Sequence, residues 1–294
     1  MRKVVTSAST FLWKKPERNK VLDKIEEHSQ EELHAFLDAE DTMRLYEESL
    51  VDSEVTYGTV VEVLSEENGW SQVIVLDQSS DKNAKGYPGF IPTKCLSDQA
   101  NEYNQNEEQV AVIFPKTELY LGGTKRSLAF GTVLELLEET KEDYLVNTPE
   151  GKGYLTKESS QKTKNYFGQS LAARMVDLAE QFIGLPYVWA GTSGCGFDCS
   201  GFMYSLHRVN GILIPRDTPE QAAAGKHLAY KDAKPGDLLL FAYEQGKGEI
   251  HHVGMYVGND EMIHSHTPGS KVMKSKISGS KYETELIVVC RYWE

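Results

Sequence analysis

Two stretches of the chain alternate apolar and polar positions in the same way. "TYGTVVEVLSEENGWSQVIV" (56–75) and "AFGTVLELLEETKEDYLVN" (129–147) each open on an aromatic-Gly-Thr-Val segment, run through alternating apolar residues to an acidic turn, and continue into a second alternating run. A glycine-flanked aromatic follows each copy, "KGYPGFIP" at 85–92 and "GKGYLT" at 151–156. A period of two with frequent turns predicts short antiparallel strands, so each copy is expected to form a small β-barrel. The expected boundaries are 1–101 for the first barrel and 102–162 for the second. The segment "SQEELHAFLDAEDTMRLYEESL" (29–50) reads as a helical insertion in the first barrel, with Ser29 and Glu32 fitting a capping box.

The period changes in the remaining segment, 163–294. In "SLAARMVDLAEQFIG", Leu171, Met175, Leu178 and Phe182 recur at helical spacing, predicting a helix that ends at Gly184. Phe202, Leu206 and Val209 predict a second helix beginning after Asp198. Four strand-like runs follow: "DLLLFA" after Pro235-Gly236, "HVGMYVG" from 252, "EMIHSH" from 261 and "LIVVCRYW" from 286. Helices packed on an antiparallel sheet are the economical arrangement, an α+β domain behind two β-barrels.

Composition then removes several function classes. A chain of 294 residues with 40% hydrophobic residues can bury real cores without metals. Four cysteines, Cys95, Cys195, Cys199 and Cys290, are too few for a disulfide framework, so a reducing compartment is expected. The N-terminal "MRKVVTSASTFLWKKPERNK" lacks the apolar centre of a secretory signal, and no later run approaches the ~20 apolar residues of a membrane span. A cytoplasmic monomer is the expectation, or a secreted one if a leader has been removed. A net charge of −13 disfavours nucleic acid and anionic membranes and suits a small or cationic partner.

Candidate chemistry centres on "GTSGCGFDCSGFMYSLHRV" (191–209). A nucleophile needs a lowered pKa, a base and donors for the developing oxyanion. Cys199 stands at a predicted helix N-terminus, where unpaired N–H groups favour thiolate, with Asp198 as N-cap adding an opposing negative charge. Cys195 lacks that placement. The competing explanation is that both are small buried hydrophobes. In "EIHHVGMYVGNDEMIHSH", a three-residue loop Gly258-Asn259-Asp260 would set Val257 against Glu261, placing His252 opposite His266 and diagonal to His264 on one sheet face. One histidine as base and a second as its orienter follow the logic of a catalytic triad. Zinc held by these histidines and a cysteine is the rival, although no Cys-x-x-Cys or His-Glu-x-x-His pattern accompanies them.

Four blocks, "LPYVWAG…FDCSGF", "IPRDT", "KPGDLLLF" and "HHVGMYVGNDEMIH", resemble the NlpC/P60 family of papain-like cell-wall cysteine peptidases, and the barrels ahead of them resemble bacterial SH3 domains. The whole chain is similar to the γ-D-glutamyl-L-diamino acid endopeptidases of that family. The resemblance implies Cys199 as nucleophile, His252 as base and His264, rather than His266, as orienter, with Tyr187 stabilising the oxyanion beside the Cys199 backbone N–H. It implies a murein-derived peptide with free N-terminal L-alanine as substrate, with Asp198, Asp52 and Tyr87 around the amine. Asp52 is shorter than the expected glutamate, and Glu54 competes for the role. Arg216 is implied as a bidentate partner of the D-glutamate α-carboxylate, with Ser200 nearby and Asp217 and Thr218 in the same block. The alternative for Arg216 is an ion pair with Asp217. Trp189 serves either as core or as cleft wall.

The favoured expectation is therefore a cysteine endopeptidase without cofactor, in which the first barrel walls off the N-terminal side of the cleft. The alternatives are an amidase or acyltransferase acting on intact peptidoglycan, and a binding module in which the C-terminal domain is inert.

Overall fold

Residues 1–28, 37–98 and 108–294 are described in a computed structural model. The first sheet contains β1 (Arg2–Val5), β2 (Ser9–Trp13), β3 (Val51–Thr56), β4 (Val60–Glu67), β5 (Trp70–Val75), β6 (Tyr87–Pro92) and β7 (Leu96–Ser97), in the order β3-β2-β6-β5-β4-β1-β7. The second contains β8 (Gln109–Val112), β9 (Lys116–Leu121), β10 (Thr124–Ala129), β11 (Val133–Glu139), β12 (Asp143–Thr148), β13 (Gly151–Thr156) and β14 (Ser160–Lys162), in the order β10-β9-β13-β12-β11-β8-β14. The second order repeats the first strand for strand, so the sequence repeat is a repeat of topology.

The shared aromatic-Gly pair explains why both copies fold alike. Tyr57 and Phe130 are fully buried, and Gly58 (φ 81°) and Gly131 (φ 88°) turn the chain through the left-handed region that favours glycine. Their N–H groups donate to Val5 O at 2.9 Å and Val112 O at 3.2 Å, tying each turn to the first strand of its sheet. The later glycines align differently from the aromatics. Val73 pairs with Gly89 and Val146 with Gly153, which makes Tyr87 the counterpart of Gly151. The first sheet therefore carries a tyrosine that the second lacks.

The first sheet departs from the second at another point. Leu12 pairs with Ser53 and Trp13 with Val51, so the ladder skips Asp52 in a β-bulge, whereas β9 and β10 pair without a break. The insertion between β2 and β3 forms α1 (Lys20–Glu27), capped by Asn19, and α2 (Ala39–Glu47), capped by Asp38. The expected Ser29–Glu32 capping box lies outside the described residues; the observed box at α2 uses Asp38 and Asp41. Val21, Leu22 and Leu45 of this insertion pack with Phe11 and Trp13, and the same core takes in Val188 and Ala190 of the C-terminal domain.

In that domain α3 (Gly168–Glu180) precedes a short hairpin, β15 (Thr192–Ser193) and β16 (Gly196–Phe197), which leads into α4 (Cys199–Arg208) and then α5 (Thr218–Ala224). The helix expected to reach Gly184 keeps α-type bonding only to Glu180. Phe182 N–H then donates to Ala179 O, and Ile183 N–H to Glu180 O, in tighter turns that end at Gly184 (φ 94°). Strands β17 (Lys226–Leu228), β18 (Leu238–Ala242), β19 (Ile250–Gly258), β20 (Glu261–Ser265), β21 (Val272–Lys276) and β22 (Leu286–Arg291) form an antiparallel sheet ordered β17-β22-β18-β19-β20-β21. Met175 and Leu178 of α3 and Phe202 and Leu206 of α4 share one core with Leu238, Leu240, Val253 and Met255 of this sheet.

The histidine hairpin reaches its register by a different route from the one expected. Asn259 (φ 54°) and Asp260 (φ 63°) form a two-residue turn, and Gly258, not Val257, pairs with Glu261. Such a turn needs positive φ at both central residues, which Asn and Asp tolerate. A bulge at Val257 then compensates, so that Met255 pairs with Ile263 and His252 and His264 still share a face.

Candidate active site

Cys199 is the first residue of α4. Asp198 caps the helix by accepting from Gly201 N–H at 2.7 Å, and it also accepts from Ser200 Oγ at 3.2 Å. A Cβ on Gly201 would lie 2.1 Å from Gly191 O, so only glycine lets the first helical turn seat against the preceding loop. The far end of α4 is bolted to both barrels: Arg208 donates to Asp77 Oδ2 at 2.6 Å and to Gly131 O. The thiol sits at the N-terminal end of this anchored, buried helix, facing the backbone of Val253, the residue after His252, with its sulfur 3.8 Å from Thr218 Oγ1.

Two histidine rings continue from the strand side. His252 Nε2 and His264 Nδ1 are 2.6 Å apart, and His264 Nε2 is 2.9 Å from Ser275 Oγ on the next strand. With a proton on each Nε2, His252 donates to His264 and His264 donates to Ser275, an assignment made from the network. That tautomer leaves His252 Nδ1 with a lone pair that can accept a proton. The chain of bonds engages ring nitrogens that zinc would need, and among the described residues no group of three or more His, Cys, Asp or Glu side chains is placed to hold a metal ion. Ser275 is absent from the sequence expectations. As a positioning residue it predicts that Ser275→Ala lowers kcat about tenfold with little change in KM and that Ser275→Thr restores it, measured by steady-state peptide hydrolysis.

At the thiol, burial works against the helix terminus. Burial pushes the Cys199 thiol up to about 11, and the negative charge of Asp198 adds to the rise against the opposing bonds from Thr218 and the backbone. Burial likewise holds His252 well below the ordinary histidine value, helped by His264 and His251, and lowers His264 to about 3. Burial thus disfavours charge on the thiol and on both rings.

A cleft of about 380 Å³ opens over the thiol. Tyr187, Trp189, Asp198 and Ser200 line it from the C-terminal domain, together with Asp217, Thr218 and Glu220 at the start of α5. Asp52, Lys82 and Tyr87 close it from the first barrel. The bulge at Asp52 turns this side chain to the cleft, whereas the competing Glu54 is buried elsewhere, accepting from Thr192 N–H and Ser193 Oγ, both at 2.9 Å. Glu54 docks the barrel on the β15–β16 hairpin, and its burial raises its pKa. Trp189 is a cleft wall pinned by its indole N–H to Val51 O at 3.1 Å and packed against Tyr46 at 5.0 Å between ring centroids. Burial raises the Tyr187 hydroxyl well above its usual value, with the charges of Cys199 and Asp198 adding to the effect, so it is a neutral donor facing the thiol's cleft.

Arg216 does not stand where it could clamp a substrate carboxylate. It is 1% exposed, and its guanidinium donates to Asp198 Oδ2 at 2.7 Å, Asp198 Oδ1 at 3.2 Å, Ser200 Oγ at 3.0 Å and Ser53 Oγ at 2.9 Å. Asp217, the alternative partner, is 4.0 Å away. Burial opposes the arginine charge, but Asp198 outweighs it and keeps the guanidinium protonated. Arg216 therefore supports Asp198 from behind. Cys195 is equally remote from the chemistry: it lines a separate cavity with Gly194 and Gly196.

A thiol at a helix N-terminus, with a strand-borne imidazole held by a second ring, defines a cysteine-nucleophile hydrolase of papain-like plan. Residues 184–291 match the NlpC/P60 family. Over 296 aligned residues covering 99% of both chains, the protein is 35% identical to the gamma-D-glutamyl-L-lysine dipeptidyl-peptidase of Bacillus subtilis (strain 168). It is 37% identical over 228 residues to the Bacillus cereus protein of the same name, covering 73% of this chain and 67% of that one. The crystal structure of an NlpC/P60 family protein from Bacillus cereus superimposes with a TM-score of 0.87 at 29% identity, covering 100% of both chains. The chain belongs to the NlpC/P60 family and is a cysteine peptidase.

Proposed function

We propose that the protein cleaves the bond between D-glutamate and a diamino acid in murein-derived peptides that begin with a free L-alanine, releasing the N-terminal dipeptide. The observation that carries this reading is the set of carboxylates, Asp52 and Asp217 above all, that faces Tyr87 in the cleft beside Cys199. A terminal ammonium is the chemistry such a wall selects. Two relatives that share most of this chain carry the name gamma-D-glutamyl-L-lysine dipeptidyl-peptidase, which fits counting two residues in from a free N-terminus.

In the reaction, Cys199 Sγ attacks the γ-carbonyl carbon of D-glutamate while His252 Nδ1 takes the thiol proton. The Cys199 backbone N–H at the start of α4 and the Tyr187 hydroxyl hold the oxyanion. Collapse breaks the C–N bond, and His252 returns the proton to the leaving α-amine of the diamino acid. Water, deprotonated by His252, then attacks the thioester; the C–S bond breaks, the proton returns to the Cys199 sulfur and L-Ala-D-Glu is freed. No step calls for a cofactor.

Incubating L-Ala-γ-D-Glu-L-Lys with the full chain should yield L-lysine and intact L-Ala-D-Glu, separated by chromatography. Release of free alanine, or of no lysine, contradicts the reading.

A further inference from the structure

The amine end of the cleft already contains an ammonium group of the protein's own. Lys82 Nζ lies 3.0 Å from Asp52 Oδ2, 2.5 Å from Tyr87 Oη and 3.9 Å from Asp217 Oδ2, and stands 4.3 Å from the centre of the Tyr87 ring. Tyr87 in turn donates to Asp217 Oδ2 at 2.8 Å. These partners, two carboxylates, a phenol oxygen and an aromatic face, are the contacts a peptide ammonium would make.

We infer that Lys82 acts as an internal competitor: its side chain fills the ammonium subsite in the free enzyme and is displaced by the N-terminal amine of the substrate. The inference rests on the amine-terminated substrate proposed above. The loop that carries Lys82 is held in place, because Glu220 accepts from Asp81 N–H at 2.8 Å and Arg216 N–H donates to Ser79 O at 3.3 Å. Exchange therefore needs only rotation of a lysine stem, which is flexible and 42% exposed, with no movement of the barrel. A peptide whose N-terminus is acylated brings no charge to replace Lys82, and the lysine stays in its way. An amine-bearing peptide replaces one ammonium by another and leaves both carboxylates paired.

Lys82 thus lowers the affinity for a peptide that must displace it. The test compares wild type, Lys82→Met and Lys82→Arg as full chains with L-Ala-γ-D-Glu-L-Lys and its N-acetyl form. In Lys82→Met the KM for the free-amine peptide should fall about fivefold, the scale of one part-exposed ion pair. Lys82→Arg, which keeps the charge, should stay near the wild-type KM. Thermal midpoints of the three proteins confirm that each is folded. An unchanged or raised KM in folded Lys82→Met, with wild type still preferring the free amine, overturns the inference alone. A wild type that treats the two peptides alike overturns the substrate reading and this inference with it.

Discussion

Cys199→Ala should lower peptide turnover by about 10⁴-fold or more, to the level of the uncatalysed background in an ordinary assay. The sulfur lies in the cleft at the N-terminus of a buried helix and against the strand of His252, so removing it removes the covalent route. Cys195→Ala should keep wild-type turnover, because that thiol lines a different cavity. The fold of Cys199→Ala should persist, since the Asp198 cap and its bonds to Arg216 do not involve the thiol. The check is lysine release followed over hours for both variants, beside their circular dichroism. Turnover above about 1% of wild type in Cys199→Ala would remove the nucleophile from the account.

Arg216→Met should lower the unfolding free energy by about 3–5 kcal/mol, the usual consequence of leaving one member of a buried ion pair alone. Asp198 is only 8% exposed and keeps its capping bond to Gly201, but without Arg216 its charge is left uncompensated beside the thiol. Three anchors go together: the bidentate bond to Asp198, the bond to Ser200 and the bond to Ser53 that ties the first barrel to the site. Asp217→Ala should cost no more than about 1 kcal/mol, since this carboxylate is part-exposed and 4.0 Å from the guanidinium. Urea unfolding of the two variants separates these expectations. Equal, small losses would return Arg216 to the role of a substrate clamp.

The repeat was legible because its aromatic-Gly turns are local: the buried ring and the positive-φ glycine lie next to each other in the chain. The placement of Cys199, His252 and His264 was legible for a related reason, since Cys199 begins a helix and the two histidines belong to one hairpin. Even there, the expected three-residue loop is a two-residue turn plus a bulge, two departures that cancel in side-chain parity. What stayed hidden depends on distant pairing. Ser275 meets His264 only once β21 has paired with β20, and nothing in "KVMKSK" marks it. Arg216 looks like a free cation in "IPRDT" until Asp198 and Ser53 surround it. Lys82 enters the site only because the first barrel docks against α5, through contacts such as Glu220 with Asp81. Burial of the thiol, which works against the helix terminus, is likewise invisible in the sequence.

The central claim is that the cleft beside Cys199 selects a terminal ammonium through the carboxylates of both domains. Calorimetric titration of the Cys199→Ala protein with L-Ala-γ-D-Glu-L-Lys and with its N-acetyl form tests it without turnover. Binding of the free-amine peptide with a loss of about 100-fold or more on acetylation is the predicted result. Equal affinity for the two peptides would contradict it.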